Sequence, residues 1–341
     1  MHIMDQNDKN PKDSKSLRFS VIIVNFNGGE YLAEALASLS RQTVRDFEVF
    51  VVDNASSDGS MENLGDRLPD RLHLRPQKQN LGFAAANNLA AREAQGEWIV
   101  LLNPDAAAEP DWLEKLAEGA ARHLDTSMFA SAQLNMMDPT IMDGAGDAYL
   151  GFGIPWRGGF GRPVSEMPEE GTCFAPCGAG AMYKRELFLA HGGFDEALFC
   201  FCEDVDLGYR FRLAGEQCVF LPEAVIIHEG GGVSGRASKF ALFHGARNRL
   251  WVYLKNTPLW LLIVTMPGHI ALTIAILLRG LVTKRAKDTW LGIWAGIKGA
   301  GPVLAQRREL KASRTASSAD LIRAMSWNPF TMLGRKTDVR H

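Results

Sequence analysis

FSVIIVNFNG (Phe19–Gly28) is the stretch from which the fold can be read. It is apolar and β-branched, shows no polar alternation and ends in a turn, the pattern of a strand buried on both faces of a parallel sheet. The following Glu30–Gln42 carries Leu32, Leu36 and Leu39 at helical spacing. FEVFVVDNASSDGS (Phe47–Ser60) is a second strand running into a polar loop of Asn, Ser, Asp and Gly. A third strand is expected at Leu72–Leu74, followed by Asn80-Leu81-Gly82-Phe83 and the alanine-rich helix Ala84–Ala94. A fourth, EWIVLLN (Glu97–Asn103), stops at Pro104-Asp105. Strand and helix alternating through short loops predict a doubly wound α/β sheet. Ligands of such sheets bind beyond the carboxyl ends of the strands. Asn25, Asp53 and Asn103–Asp105 all follow strand ends, so one shared cleft is expected.

Further along, periodicity weakens. Residues 125–175 are rich in Gly, Met and Pro and read as a long mobile segment beside the site, acting as a lid, or as an ordinary irregular insertion. Order is expected again at Cys177–Lys184, in a helix from Arg185, and in a helix begun by Asp206, Tyr209 and Arg210 and ended by Gly215. Short strands near Val219–Phe220 and at Ala224–His228 follow.

The composition, 46% hydrophobic and 22% charged over 341 residues, indicates neither a disordered chain nor a polytopic membrane protein. The net charge of −2 hides an uneven distribution, because basic residues dominate from Arg279 onward. A basic tail on an acidic body meets nucleic acid or anionic lipid. The neighbouring Pro258–Val282 decides for lipid: it is almost uncharged up to Arg279 and long enough to span a bilayer. Pro267-Gly268-His269 at its centre makes a broken pair of helices in the interface as good a reading as a span. Lys284, Arg285 and Lys287 follow, as on a segment anchored from the cytoplasmic side. The expected organisation is a disordered leader (1–16), a catalytic domain (17–235), an amphipathic helical connection (236–257), hydrophobic membrane-associating helices with a basic segment (258–310), and a basic, partly disordered tail (311–341). The five cysteines form no paired metal or disulfide spacing and fit a reducing compartment.

Four features can carry chemistry. Asp53, at a strand end, can accept from a base N–H or a ribose hydroxyl, although Asp-Asn-Ser-Gly strings also make plain turns. Asp105, after a fully apolar strand, can hold Mg²⁺ or Mn²⁺ while a diphosphate completes the shell, or can cap a helix. In Glu203-Asp204-x-Asp206, crowding raises at least one carboxyl pKa, as suits a proton acceptor; acidic residues in a first helical turn are the ordinary alternative. Asp206 in particular reads as a cap. His228 closes a β-branched strand beside glycines and can bind metal or phosphate.

In this order the features resemble family 2 glycosyltransferases of the GT-A fold, and within them the rhamnosyltransferase-like enzymes of surface-polysaccharide assembly. The residues that carry the resemblance are VIIVNFNGGEYLAEALASLSRQT, VVDNASSDGS, NLGFAAANN, LLNPDA, GAGAMYKRE, GGFDEALFCFCEDVDLGYR, His228 and HGARNRLWVYLKN, together covering roughly residues 18–256. The resemblance implies that Asn25 and Asp53 contact the nucleoside and that Asn80 and Gly82 border the donor's ribose and sugar. Asn103-Pro104-Asp105 stands where the family often has Asp-x-Asp, which leaves Asp105 as the metal carboxylate and His228 as a second ligand. Asp204 matches the base position, with Glu203 supporting it or binding the acceptor. The implied reaction is inverting transfer from a nucleotide-diphosphate sugar, dTDP-rhamnose in this subgroup, to a saccharide or lipid-linked saccharide. It is expected at the cytoplasmic side of the cell membrane, with no nucleic-acid partner.

Rival readings fit less well. A nucleotidyltransferase wants a cationic Gly-rich loop after the first strand, and Asn27-Gly28-Gly29-Glu30 has no cation. A dinucleotide oxidoreductase wants Gly-x-Gly-x-x-Gly there. An inactive membrane-tethered scaffold would lack the acid cluster or Asp105. No single residue excludes a UDP- or GDP-sugar.

Overall fold

The computed structural model describes residues 17–230 and 238–341. The expected leader (1–16) and the expected domain boundary at 235 lie outside the described residues. The chain begins β1 (Phe19–Asn25), α1 (Gly29–Ser40), β2 (Phe47–Asp53), β3 (Leu72–Pro76), α2 (Gly82–Glu93) and β4 (Trp98–Leu102). These four strands lie parallel in the order β3-β2-β1-β4. Every residue of β1 is buried, with Val21 and Ile23 facing one side of the sheet and Ile22 and Val24 the other. That double burial is why the strand carries no polar alternation.

Next come β5 (Ala106–Ala108), α3 (Trp112–Arg122), β6 (Met128–Asn135), β7 (Met142–Ala145), β8 (Asp147–Leu150), β9 (Ile154–Arg157), β10 (Gly171–Cys173), β11 (Gly180–Lys184), α4 (Arg185–Ala190), α5 (Glu203–Leu213) and β12 (Cys218–His228). Among the described residues, ten strands form one sheet, in which β11 runs antiparallel between β4 and β6, and β6 pairs parallel with β12. Helices α1 and α3 pack on one face through Leu36, Leu39, Trp112 and Leu116, and α2, α4 and α5 on the other through Ala90, Phe188 and Phe211.

The sheet corrects four expectations. Residues 125–175 are neither a mobile lid nor an irregular insertion: β6 lies inside the sheet, β7 pairs with it, and β8 and β9 form a hairpin. Small residues let these strands pack closely, so the segment lacks the β-branched run that marks β1. The two short strands expected near 219 and 224–228 are one strand, β12, whose register shifts between Leu221 and Val225; Pro222, which has no N–H to donate, sits in that irregularity. Helix α5 starts at Glu203 and not at Asp206. Asp206 is fully buried on that helix and caps nothing: it pairs with Arg210 (2.9 Å), with Lys255 (2.7 Å), and accepts from Asn256 Nδ2 (2.8 Å). Burial alone would raise its carboxyl, but Lys255 and Arg210 hold it below the usual range.

The C-terminal part is α6 (Lys239–Asn256), α7 (Leu259–Val282), α8 (Ala286–Lys298), α9 (Ala300–Ser313), α10 (Ser318–Ala324) and α11 (Pro329–Leu333). Helix α7 is continuous through Pro267, which removes the broken pair from the two readings of this segment, and is the one helix among the described residues long and apolar enough to cross a membrane. Beside the proline, Gly268 packs on the Phe152 ring and His269 Nδ1 lies 2.8 Å from the Phe152 carbonyl, so contact with the body keeps both halves in line. The tail, expected to be partly disordered, folds back. Leu321 and Met325 join the core around Tyr149, and Arg340 exchanges backbone hydrogen bonds with Thr172 of β10 (2.9 and 2.7 Å).

The Asp206 network fastens α5 to α6. Removing one partner of a buried charge network leaves the rest uncompensated, so Asp206→Ala should cost about 3–5 kcal/mol in urea unfolding. Loss within the error of the measurement would contradict this reading.

Candidate active site

The register of β1 against β2 sets Asn25 beside Asp53. Asn25 Nδ2 reaches Asp53 Oδ1 (2.9 Å), Ser56 Oγ (3.0 Å) and Ser60 Oγ (2.9 Å). Asp53 Oδ2 accepts from the Ser56 N–H at 3.1 Å. Asn25 is fully buried, so its amide organises the loop 53–60 from behind. Asn54 ties this loop to the next one, accepting from Leu81 N–H and donating to the Gly82 carbonyl, both at 3.3 Å. Asn80 Oδ1 accepts from the Gly82 N–H at 2.8 Å. Gly82 has φ +82°, and a Cβ there would sit 2.5 Å from the Phe199 ring, so only glycine fits this approach.

A second group gathers where β4 and β12 end. Pairing of β5 with β12 sets Ala106 beside His228 and so brings Asp105 alongside the ring. His228 Nε2 lies 3.3 Å from Asp105 Oδ1 and 3.3 Å from Asn103 Nδ2. Its Nδ1 lies 2.7 Å from Asp143 Oδ2, which in turn accepts from Arg157 Nη1 at 2.5 Å. Burial alone would lower the imidazole pKa, but the hydrogen bonds to Asp105 and Asp143 outweigh it and raise it. A proton on Nδ1 directed at Asp143 turns Nε2 toward Asp105. Two donor atoms 3.3 Å apart suit adjacent positions around one divalent cation. Asp105 and His228 therefore fit the group expected of them.

The third group is at the start of α5. Phe199, Phe201 and Cys202 have φ of 66°, 74° and 65°, a costly left-handed run for residues with side chains. Asn248 of α6 holds it, its Nδ2 reaching the carbonyls of Leu198 (2.8 Å), Cys200 (2.9 Å) and Phe201 (2.7 Å). This run delivers Glu203 and Asp204 to the cleft. Asp204 Oδ2 accepts from the Gly178 N–H and Oδ1 from the Val205 N–H, both at 2.8 Å. Glu203 is buried with Oε2 unpartnered. Burial and the Asp204 charge push the Glu203 carboxyl well above the usual range. Burial raises Asp204 too, against the opposing pull of the Gly178 and Val205 N–H groups and of Arg157.

Side-chain ligand atoms of Asp147, Cys177 and Asp204 lie within 4.8 Å of one another. This cluster suits a metal less well than Asp105–His228 does. Burial pushes the Cys177 thiol up to about 12, so it stays protonated, and the Arg157 charge already acts on all three groups. Arg157 thus stands between the two halves of the cleft, in electrostatic contact with Asp143, Asp147 and Asp204.

Asn103, Asp105 and His228 come together, as do Asn25 with Asp53, Asn80 with Gly82, and Glu203 with Asp204. Asp143, Asp147, Arg157 and Asn248 escaped the sequence reading. The signal for the first two was Asp143-Gly-Ala-Gly-Asp147, carboxylates flanking glycines inside the segment read as irregular.

Comparison with known proteins bears on the family and the fold. Residues 20–192 match the model of the family described as glycosyl transferase family 2. The N-acetylglucosaminyl-diphospho-decaprenol L-rhamnosyltransferase of Mycobacterium tuberculosis is 31% identical over 252 residues, 66% of this chain and 80% of that protein. Among solved structures, S. aureus TarS 1-349 in complex with UDP has a TM-score of 0.56 at 18% identity, covering 90% of this chain and 88% of its own. A mannosyltransferase from Pyrobaculum calidifontis, in complex with GDP-Man and Mn²⁺, has a TM-score of 0.54 at 18% identity, covering 90% and 83%. At these identities the structures speak for the fold.

Asp143 touches the cleft through His228. Asp143→Asn should weaken Mn²⁺ binding, read by calorimetry in the presence of nucleoside diphosphate, by roughly 10–100-fold. Unchanged affinity would remove His228 from the ligand set.

Proposed function

The chain belongs to glycosyltransferase family 2, and on that premise we propose that it is an inverting rhamnosyltransferase, moving rhamnose from dTDP-rhamnose to a hydroxyl of a lipid-linked saccharide at the cytoplasmic side of the membrane, in surface-polysaccharide assembly. The observation that carries the reading is the division of the cleft into an Asp105–His228 pair and a Glu203–Asp204 pair, with Arg157 between them. The name of the mycobacterial relative, which joins an L-rhamnosyl donor to a diphospho-decaprenol acceptor, supports the choice of donor and acceptor.

In this scheme the loops at Asn25–Asp53 and Asn80–Gly82 seat the nucleoside, ribose and sugar. Asp105 and His228, with Asn103 beside them, would hold Mg²⁺ or Mn²⁺. The bound cation would supply Lewis-acid stabilisation of the charge on the departing diphosphate. Asp204 and Glu203 divide their work by environment. Two backbone N–H groups favour the charged form of Asp204, whereas buried Glu203 has an unpartnered oxygen and takes the shared proton. Neutral Glu203 orients the acceptor by hydrogen bonding. Asp204 accepts the hydroxyl proton as the acceptor oxygen bonds to the anomeric carbon and the bond to the diphosphate breaks on the opposite face. A single displacement needs no covalent nucleophile, unlike a retaining two-carboxylate hydrolase.

Asp204→Asn should lower transfer by about 10²–10⁴-fold with donor binding retained, whereas Glu203→Gln keeps a neutral hydrogen-bonding group and stays within about tenfold. The reverse ranking would move the base to Glu203. Because Asp204 acts deprotonated and its pKa is raised, activity should fall as pH drops through a value above the ordinary 3.8; a kcat/KM profile flat down to that ordinary value would count against it. A panel of dTDP-, UDP- and GDP-sugars assayed with and without EDTA tests donor and cation together. Preference for a UDP- or GDP-sugar would replace the donor, and EDTA-insensitive transfer would remove the metal.

A further inference from the structure

Helix α7 has two different flanks. One is buried on the body along the helix: Leu261, Leu262, Thr265, His269 and Gly280 face inward, Tyr253 Oη lies 2.7 Å from Thr265 Oγ1, and the Tyr253 and His269 rings stack at 4.3 Å. The other flank is exposed and apolar, through Ile263, Val264, Ile270, Ile274, Leu278 and Leu281. A helix docked along one side in this way presents a stripe to lipid, the geometry of an in-plane attachment.

Where the stripe begins there is a cavity of about 640 Å³ between the end of α6, the start of α7 and α9. Its apolar wall is Leu259, Trp260, Ile263 and Leu304, continuous with the exposed stripe, and among the described residues no carboxylate lines it. Its opposite lip is cationic. Arg307 is pinned to the Leu254 carbonyl, and Arg314 to the Ala316 carbonyl (2.8 Å) and Ser318 Oγ (2.9 Å). Arg308 and Lys311 are exposed and have no ion pair among the described residues. Lys255 also lines the cavity, but Asp195 and Asp206 neutralise it at 2.6 and 2.7 Å.

We propose that this groove binds the headgroup of an anionic bilayer phospholipid, its phosphate between Arg308 and Lys311 and its chains along the exposed flank of α7. Charge complementarity and the unbroken passage from cationic lip to apolar stripe select this occupant. The phosphates of an acceptor with one sugar, like that in the mycobacterial relative's name, would not reach it. The groove lies at the Leu213 end of α5, roughly 15 Å along the helix from the Glu203–Asp204 end, farther than one sugar separates its hydroxyl from its phosphate. The inference rests on the membrane attachment in the proposed function and is independent of the sugar transferred.

Flotation of the full chain with vesicles of phosphatidylcholine, with and without phosphatidylglycerol, tests it. The wild-type chain should prefer the anionic vesicles. Replacing both cations (Arg308→Ala with Lys311→Ala) should weaken anionic-vesicle binding by about thirty-fold, leaving neutral-vesicle binding and donor hydrolysis unchanged. Undiminished preference for anionic vesicles, or equal loss on both vesicle types, would overturn the groove. Replacing Ile270 and Ile274 with Asp should reduce binding to both vesicle types; if it does not, the α7 stripe is not the attachment. Donor hydrolysis in each variant reports separately on the transferase reading.

Discussion

Everything in the cleft is arranged around one electrostatic difficulty: Asp105, Asp143, Asp147, Glu203 and Asp204 gather where little water reaches. Unpaired charges in such surroundings are costly, and the carboxylates here are accommodated in different ways. Asp143 is fixed between Arg157 and His228. Asp204 is held by backbone N–H groups. Glu203 and Asp147 are pushed toward their neutral forms, chiefly by burial. Arg157 is the cation that the two halves share. Through it, the proton state near the α5 start is coupled to the charge at the Asp105–His228 pair, a link that the proposed reaction would use.

A second dependence runs through α6. The same helix clamps the left-handed loop before Glu203 through Asn248, anchors Asp206 through Lys255 and Asn256, and packs against α8. The loop bearing Glu203 and Asp204 is thereby joined by one rigid rod to the helices that carry the exposed apolar surface. An acceptor presented from a bilayer would meet a base whose position is fixed relative to that surface.

The first half of the molecule was legible because its physics is local. The apolar runs of β1, β2 and β4 have no reading except buried strands, and the polar residues ending them fall on one edge of the sheet. Asn25, Asp53 and Asp105 could be named on those grounds, and His228 on its place at the end of a later β-branched run. The stretch from Met128 to Arg157 was not legible. Its strands are built of Ala, Ser, Gly and Gln, and their burial is decided by partners distant in sequence, β11 and β12. Asp143, Asp147 and Arg157 were lost with it. Asp206 misled for the opposite reason: its spacing matches a helix start, and only the tertiary contact with Lys255 and Asn256 shows its role. Pro267 left two readings open in the sequence, because only packing on Phe152 shows that the helix continues past it.

The proposed reaction is a single displacement, with Asp204 taking the proton on the face opposite the departing diphosphate. The most direct measurement is the anomeric configuration of the first-formed product, read by NMR on the transfer product made from a donor of known configuration. A single displacement gives complete inversion. Retention would require a covalent or same-face mechanism and would contradict it.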